Sequence, residues 1–192
     1  MIDLFLGEKN KEIQEKATKL GFSEIFFVKV IATMKDFDNS NNYDCCLIKT
    51  DNLEVLRRMM DKSVSIFKKI IVLGTTNEIN RVALENKKVF ALLDPGYERK
   101  KDFLDSRDSG LNQVLCKIAK ENEKKILISF DSLRNEISLG RTIQNFRLCK
   151  KFENKIQIVN FCSSLDEMKS VFELKEIERV LKSREHFEHP QL

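Results

Sequence analysis

The stretch Arg107-Asp108-Ser109-Gly110-Leu111-Asn112-Gln113-Val114-Leu115-Cys116-Lys117-Ile118-Ala119-Lys120-Glu121-Asn122, with Ile126-Leu127-Ile128-Ser129-Phe130 close behind it, reads as a polar loop, an amphipathic helix and a strand in succession. Asp108 and Ser109 offer oxygens to the unpaired amides of a first helical turn. Leu111, Val114, Leu115, Ile118 and Ala119 then recur at the spacing of one buried helical face. Just upstream, Glu98-Arg99-Lys100-Lys101-Asp102 brings cations near those amides, which an anion such as phosphate could share. Physical chemistry alone leaves two readings open, a solvated loop that merely caps a helix and a loop that also holds a phosphate.

The same loop, helix and strand grammar repeats in both directions. Toward the N-terminus, strands are expected at Ile2–Leu6, Glu24–Val30, Cys45–Lys49, Lys69–Leu73 and Lys88–Leu93. Helices between them carry Ile13, Ala17 and Leu20, then Leu53, Leu56, Met60 and Val64 after Asp51-Asn52-Leu53-Glu54, then Ile79, Val82 and Ala83. Toward the C-terminus, a long helix occupies much of Leu133–Phe152, and a seventh strand runs from Ile156 to Phe161. Ser164-Leu165-Asp166-Glu167 reads as a capping box opening a last helix that carries Leu165, Met168, Val171, Phe172, Leu174, Val180 and Leu181.

Strict alternation of this kind implies parallel strands joined by crossover helices. No Gly-x-Gly-x-x-Gly follows any strand and the pattern does not reverse, which favours a (β/α) barrel over a dinucleotide-binding sheet. We therefore expect an α/β protein with a single TIM-like barrel over residues 1–182, its closure at the C-terminal side left open, and a short polar tail over 183–192. With 192 residues and 42% hydrophobic content, one substantial core fits and two do not.

Charged residues make up 33%, with 34 basic against 30 acidic and a formal net charge of +4, a mild bias toward anionic partners. The bias is local. Between Arg134 and Lys155 lie six basic residues (Arg134, Arg141, Arg147, Lys150, Lys151, Lys155) and two acidic ones (Glu136, Glu153). On a helical wheel Ile143, Phe146, Cys149 and Phe152 share one face; Gln144, Arg147 and Lys151 lie opposite, with Arg141 and Lys150 at the margins. Asn145, on the flank of the apolar face, is expected to tie down a neighbouring loop.

Catalytic signatures are sparse. The two histidines, His186 and His189, fall in the terminal tail, and neither a Gly-x-Ser-x-Gly elbow nor a phosphate-binding P-loop is present. Asp3, Glu24, Asp94 and Asp131 fall near strand ends, where an all-carboxylate magnesium site is one reading and ordinary capping and ion pairing the other. The five cysteines (Cys45, Cys46, Cys116, Cys149, Cys162) show no Cys-x-x-Cys spacing and read as buried, reduced thiols. The N-terminus lacks the form of a secretion signal and no run approaches a membrane span, so a cytoplasmic chain with no membrane partner is expected.

The words from Arg107 to Asn122, together with Asn145-Phe146-Arg147-Leu148-Cys149-Lys150-Lys151-Phe152 and a weaker echo in Glu167-Met168-Lys169-Ser170-Val171-Phe172-Glu173-Leu174, resemble the archaeal ribonuclease P protein component 3 family. The resemblance implies a (β/α) barrel and a protein subunit of an endoribonuclease that removes the 5′ leader of precursor tRNA. Cleavage would then belong to the RNA and its magnesium ions, the chain itself being non-catalytic and binding no cofactor. Implied partners are the RNase P RNA, protein component 2, other RNase P proteins and, indirectly, precursor tRNA. Candidate RNA-binding residues are Arg99, Lys100, Lys101, Arg107, Arg141, Arg147 and Lys151, because arginine and lysine neutralise phosphates and arginine does so with a fork.

Barrel phosphoesterases of similar fold carry a metal-binding Asp-x-His-x-His on the first strand. Asp3-Leu4-Phe5-Leu6-Gly7 puts Phe5 and Gly7 where the imidazoles would stand. A divergent magnesium-dependent phosphoesterase is the alternative. Members of the component 3 family usually continue past the last helix with a further helical segment, whereas Leu192 closes this sequence.

Overall fold

The structure, a computed structural model, describes residues 1–38, 40–97, 102 and 108–183. Seven strands alternate with six helices among them: β1 (Ile2–Leu6), α1 (Lys11–Lys19), β2 (Glu24–Ile31), β3 (Cys45–Ile48), α2 (Leu53–Ser63), β4 (Lys69–Leu73), α3 (Asn77–Glu85), β5 (Val89–Leu93), α4 (Gln113–Glu121), β6 (Lys125–Ser129), α5 (Glu136–Lys151), β7 (Lys155–Val159) and α6 (Val171–Ser183). The strands pair in parallel in sequence order, β1 through β7, as a β/α barrel of TIM type requires. No helix among the described residues is long and apolar enough to cross a membrane. Helix α6 ends at Ser183, so nearly all of the expected tail, with His186 and His189, lies outside the described residues.

Period two divides each strand between two cores. Leu4, Phe26, Val28, Cys45, Leu47, Ile71, Leu73, Ala91, Leu93, Leu127 and Val159 fill the barrel. The alternate positions, among them Phe5, Phe27, Ile48, Val72, Leu92, Ile126 and Ile158, pack under the helices. The register slips between Ile70 and Ile71, leaving Phe90 as the extra residue of β5. Its ring turns onto the inner core, 6.0 Å from that of Phe26. All five cysteines are buried and unbridged, and burial pushes the Cys46 thiol up to about 11 and the Cys162 thiol up to about 12.

Helix starts fall on residues that spacing alone had not picked. Side chains of Asn10, Asn52, Thr76, Asn112 and Asn135 accept from first-turn amides of α1 to α5. Asn112 therefore replaces Asp108 and Ser109 as the cap of α4. Ser164 opens only a single 3-10 turn at Leu165–Glu167, and the box that starts α6 lies six residues on. There Ser170 N donates to Glu173 Oε2 at 2.7 Å and Glu173 N donates to Ser170 Oγ at 3.2 Å. Val114, expected on the buried face of α4, is 57% exposed, and the apolar Val64, Phe172 and Val180 are 50%, 74% and 45% exposed.

Between β7 and β1 no ladder forms, and side chains bridge the gap instead. On the helix side, Asn160 donates to Asp3 twice, from its backbone N to Oδ1 and from Nδ2 to Oδ2, both at 2.7 Å. Asn160 is itself held by the backbone of Lys169, Nδ2 donating to Lys169 O at 3.0 Å and Oδ1 accepting from Lys169 N at 2.8 Å. On the inner side, Gln157 Nε2 donates to Ile2 O at 2.6 Å. Glu178 of α6 accepts from the backbone N of Ile158 at 2.9 Å, which covers part of the strand edge. At the upper end Leu6 N donates to Cys162 O at 2.8 Å. The barrel is nearly closed along an unsealed seam, as the open C-terminal side implied.

Asp3 is fully buried, and desolvation raises its pKa from 3.8 to about 6 despite the two bonds from Asn160. Between those values the folded chain holds a proton that the unfolded chain has released. Stability attributable to this group therefore falls as pH rises from about 4 to about 6. Asp3→Asn removes that titration and turns an amide donor toward the Asn160 donor. We expect the variant to be less stable than wild type by roughly 1–3 kcal/mol at pH 4, with the gap narrowing toward pH 7. Urea unfolding at both pH values measures it, and a gap independent of pH would contradict the assignment.

Candidate functional site

The two stretches that carry the family resemblance meet in space. Asn145 on α5 donates from Nδ2 to Ser109 O at 2.9 Å, and Cys116 of α4 and Cys149 of α5 bring their buried thiols together. From the other side, Asn80 of α3 donates from Nδ2 to Pro95 O at 2.9 Å and to Gly110 O at 2.8 Å. Gly110 sits at φ +78°, and a Cβ there would lie 1.8 Å from Pro95 O, so only glycine lets the two chain segments touch. The result is a latch that fixes the two described ends of the loop after β5, residues 95–96 and 109–110, to each other and to α3 and α5. Asn145 does what its place on the helix flank suggested.

Arg141 belongs to this latch rather than to the margin of a basic face. Its side chain is 7% exposed, and Nε and Nη2 donate to Asp102 Oδ1 at 3.0 and 2.8 Å. Asp102 Oδ1 also accepts from Asp108 N at 3.0 Å. A guanidinium so enclosed holds the loop in place and presents little charge to solvent. Arg147 and Lys151 are exposed on the outer side of α5, with Lys150 beside them and Lys117 and Lys120 exposed on neighbouring α4. Lys120 is paired with Glu153 at 2.7 Å. Arg99, Lys100, Lys101 and Arg107 lie outside the described residues.

At the C-terminal ends of the strands opens a cavity of about 580 Å³, lined among others by Lys49, Asp94, Tyr97, Ser129, Phe130, Asp131, Arg134 and Asn160. Asp94 is 7% exposed, accepts from Ser129 N at 2.9 Å and Ser129 Oγ at 2.7 Å, and has its pKa raised by burial. Two cations, Arg134 and Lys169, each lie 5.8 Å from the ring centre of Phe130. The strand-end carboxylates do not converge there: Asp3 is bound into the seam, Asp131 faces Arg134 at 3.5 Å, and Glu24 begins β2 at the opposite end of the barrel. Among the described residues no three His, Cys, Asp or Glu side chains gather as a metal would need.

Sequence reasoning missed Asn80 and Asp102. Asn80 left a usable signal, a lone amide among Ile79, Ala83 and Leu84 on a buried helix face, where an unpaired amide is costly. Asp102 left none, because its partner is 39 residues away.

These features define a parallel β/α barrel with a latched loop after its fifth strand and basic residues exposed on α4 and α5. No protein-family model matches the chain. It is 28% identical over 139 residues to the ribonuclease P protein component 3 of Methanocaldococcus jannaschii, an alignment covering 69% of this chain and 57% of that protein. With the component 3 proteins of Methanosarcina acetivorans and Methanosarcina mazei it shares 29% over 131 residues and 30% over 129, covering 65% and 64% of this chain and 51% of each relative. The chain thus spans about half the length of the curated relatives it matches. In fold it is similar to a chain of a cryo-EM structure of archaeal ribonuclease P with mature tRNA, with a TM-score of 0.74 at 24% identity over 94% of this chain and 82% of that one. Over about two thirds of its length the chain is thus similar in sequence to archaeal ribonuclease P protein component 3 proteins, the family its two motifs resemble.

If the latch sets the loop, its members should rank by what they leave unpaired. Gly110→Ala should be the most damaging, costing about 2–4 kcal/mol through clash and strain. Asn145→Ala should cost about 1–3 kcal/mol by orphaning the Ser109 carbonyl. Lys117→Ala should stay within about 0.5 kcal/mol. Urea midpoints test the order, and equal values for Asn145→Ala and Lys117→Ala would refute the latch.

Proposed function

We propose that the chain acts as a non-catalytic subunit of ribonuclease P, binding the catalytic RNA together with protein component 2 and so supporting removal of the 5′ leader from precursor tRNA. The observation that carries this reading is the sequence similarity to component 3 proteins, whose most specific stretches form the latch beneath α5. The basic side of α5 then has a physical task. Arg147 and Lys151, held on a helix that Asn145 and Arg141 fix to the barrel, lower the repulsion between RNA backbones that would otherwise need magnesium. Such contacts are to phosphate and read shape rather than sequence. A cytoplasmic location and other ribonuclease P proteins as neighbours accompany this reading.

The cavity at the strand ends, with Asp94, Asp131 and Glu167 in its lining, is the observation that favours the second reading, a magnesium-dependent phosphoesterase. The two separate cleanly. Cleavage of precursor tRNA at low magnesium by the cognate RNA and component 2 should rise when this chain is added, and Arg147→Glu with Lys151→Glu should move the magnesium midpoint up by about twofold or more. Phosphodiesterase activity of the purified chain with manganese or magnesium, and no gain in the reconstituted reaction, would favour the phosphoesterase instead.

A further inference from the structure

Period two places Lys69 in phase with Ile71 and Leu73, Lys125 with Leu127, and Lys155 with Val159, all positions that face the barrel interior. These three lysines, with Glu24 in phase with Phe26 and Val28 on β2, therefore form the lowest inward layer, at the N-terminal end of the strands. Lys125 and Lys155 are direct partners in the β6–β7 register. Lys69 and Lys125 both approach the bulged Phe90, at 4.8 and 4.9 Å from its ring centre. Like charges set side by side on neighbouring strands oppose folding.

One inward acid, Glu24, offsets the three cations only in part. Among the described residues none of the three makes an ion pair, whereas nearby Lys68, Lys88 and Lys120 pair with Asp44, Asp61 and Glu153. Glu24, at the start of β2, is the acidic group close enough to act on Lys125. Burial, then Lys155 and Lys69, lower the Lys125 pKa, as expected of partly desolvated cations crowded together. In the chain the layer lies close to the basic end of α5: that helix ends in Lys150 and Lys151, and a three-residue turn containing Glu153 leads to Lys155. At the opposite end of the barrel, Arg134 is paired with Asp131, and Glu167 lies in the same lining.

We propose that the N-terminal end of the barrel, centred on Lys69, Lys125 and Lys155 around Phe90, is a phosphate-binding surface that docks the backbone of folded RNA and extends the α5 surface across the barrel floor. The proposal rests on the RNA-binding reading and names a second contact for it, on the barrel end opposite the strand-end cavity. Compensation by phosphate is what keeps three cations together there, and Phe90 supplies the flat apolar floor against which their stems lie.

The test is equilibrium binding of the full chain to a fluorescent 20-base-pair RNA duplex between about 50 and 300 mM salt. Lys69→Gln/Lys125→Gln/Lys155→Gln should lose about tenfold or more in affinity at low salt and flatten the salt slope by about 2 to 3, one phosphate per lysine. Lys11→Gln/Lys35→Gln/Lys175→Gln removes the same charge from exposed positions elsewhere and should bind as wild type does. Relief of repulsion should leave the Tm of the cluster variant unchanged or raised. Wild-type affinity and slope in the cluster variant would overturn the proposal and leave the RNA reading standing; no binding by the wild-type chain would overturn both. Tripolyphosphate is titrated in parallel. Binding of tripolyphosphate that depends on the three lysines, with duplex binding that does not, would overturn the RNA assignment in favour of a free polyphosphate.

Discussion

A seven-stranded parallel barrel has to be held shut, and here the closure depends on a buried carboxylate facing a single amide residue. Asp3 has no solvent, and its two oxygens are served by the backbone and side chain of Asn160, itself gripped on both sides by the backbone of Lys169. Gln157 does the equivalent work on the inner side of the same gap. Because Asp3 and Asn160 are out of water, each bond between them is worth more than at the surface, and each missing one would cost more. The loop that enters α6 is positioned by the same residue that closes the barrel. Closure and placement of the last helix are one event.

That use of Asp3 bears on chemistry. The acidic residue of the first strand is here turned into the seam, with Phe5 packed in the core beside it. The other strand-end acids are likewise committed, Asp94 to Ser129 and Asp131 to Arg134. The wall of the barrel and the latch around Gly110 together make a stiff platform. Its polar investment lies in holding loops, and its unpaired charge lies on the floor at Lys69, Lys125 and Lys155.

Stiffness matters because electrostatic contacts to a polyanion gain most from cations that are already in place. Arg141 illustrates how the charge count of a helix misleads. Of the basic residues on α5, it is enclosed by Asp102 and spends its charge inside the molecule, so that its neighbours Arg147 and Lys151 stand on a fixed helix. The same sign of charge serves architecture at one turn and surface potential at the next.

Strand positions, the order of elements, the parallel barrel and the tying role of Asn145 were legible in the sequence, because period-two and period-3.6 patterns are written into short windows and survive without knowledge of partners. Cap positions were off by a few residues for the same local reason: Asn112 and Ser170 compete with nearby Ser and Asp side chains that offer the same chemistry. What only the tertiary structure decided depends on residues far apart in the chain. Asp3 meets Asn160, Arg141 meets Asp102, and a one-residue bulge at Phe90 brings Lys69 and Lys125 onto one ring. No local pattern encodes those meetings, since barrel closure and strand register are set by the whole sheet at once.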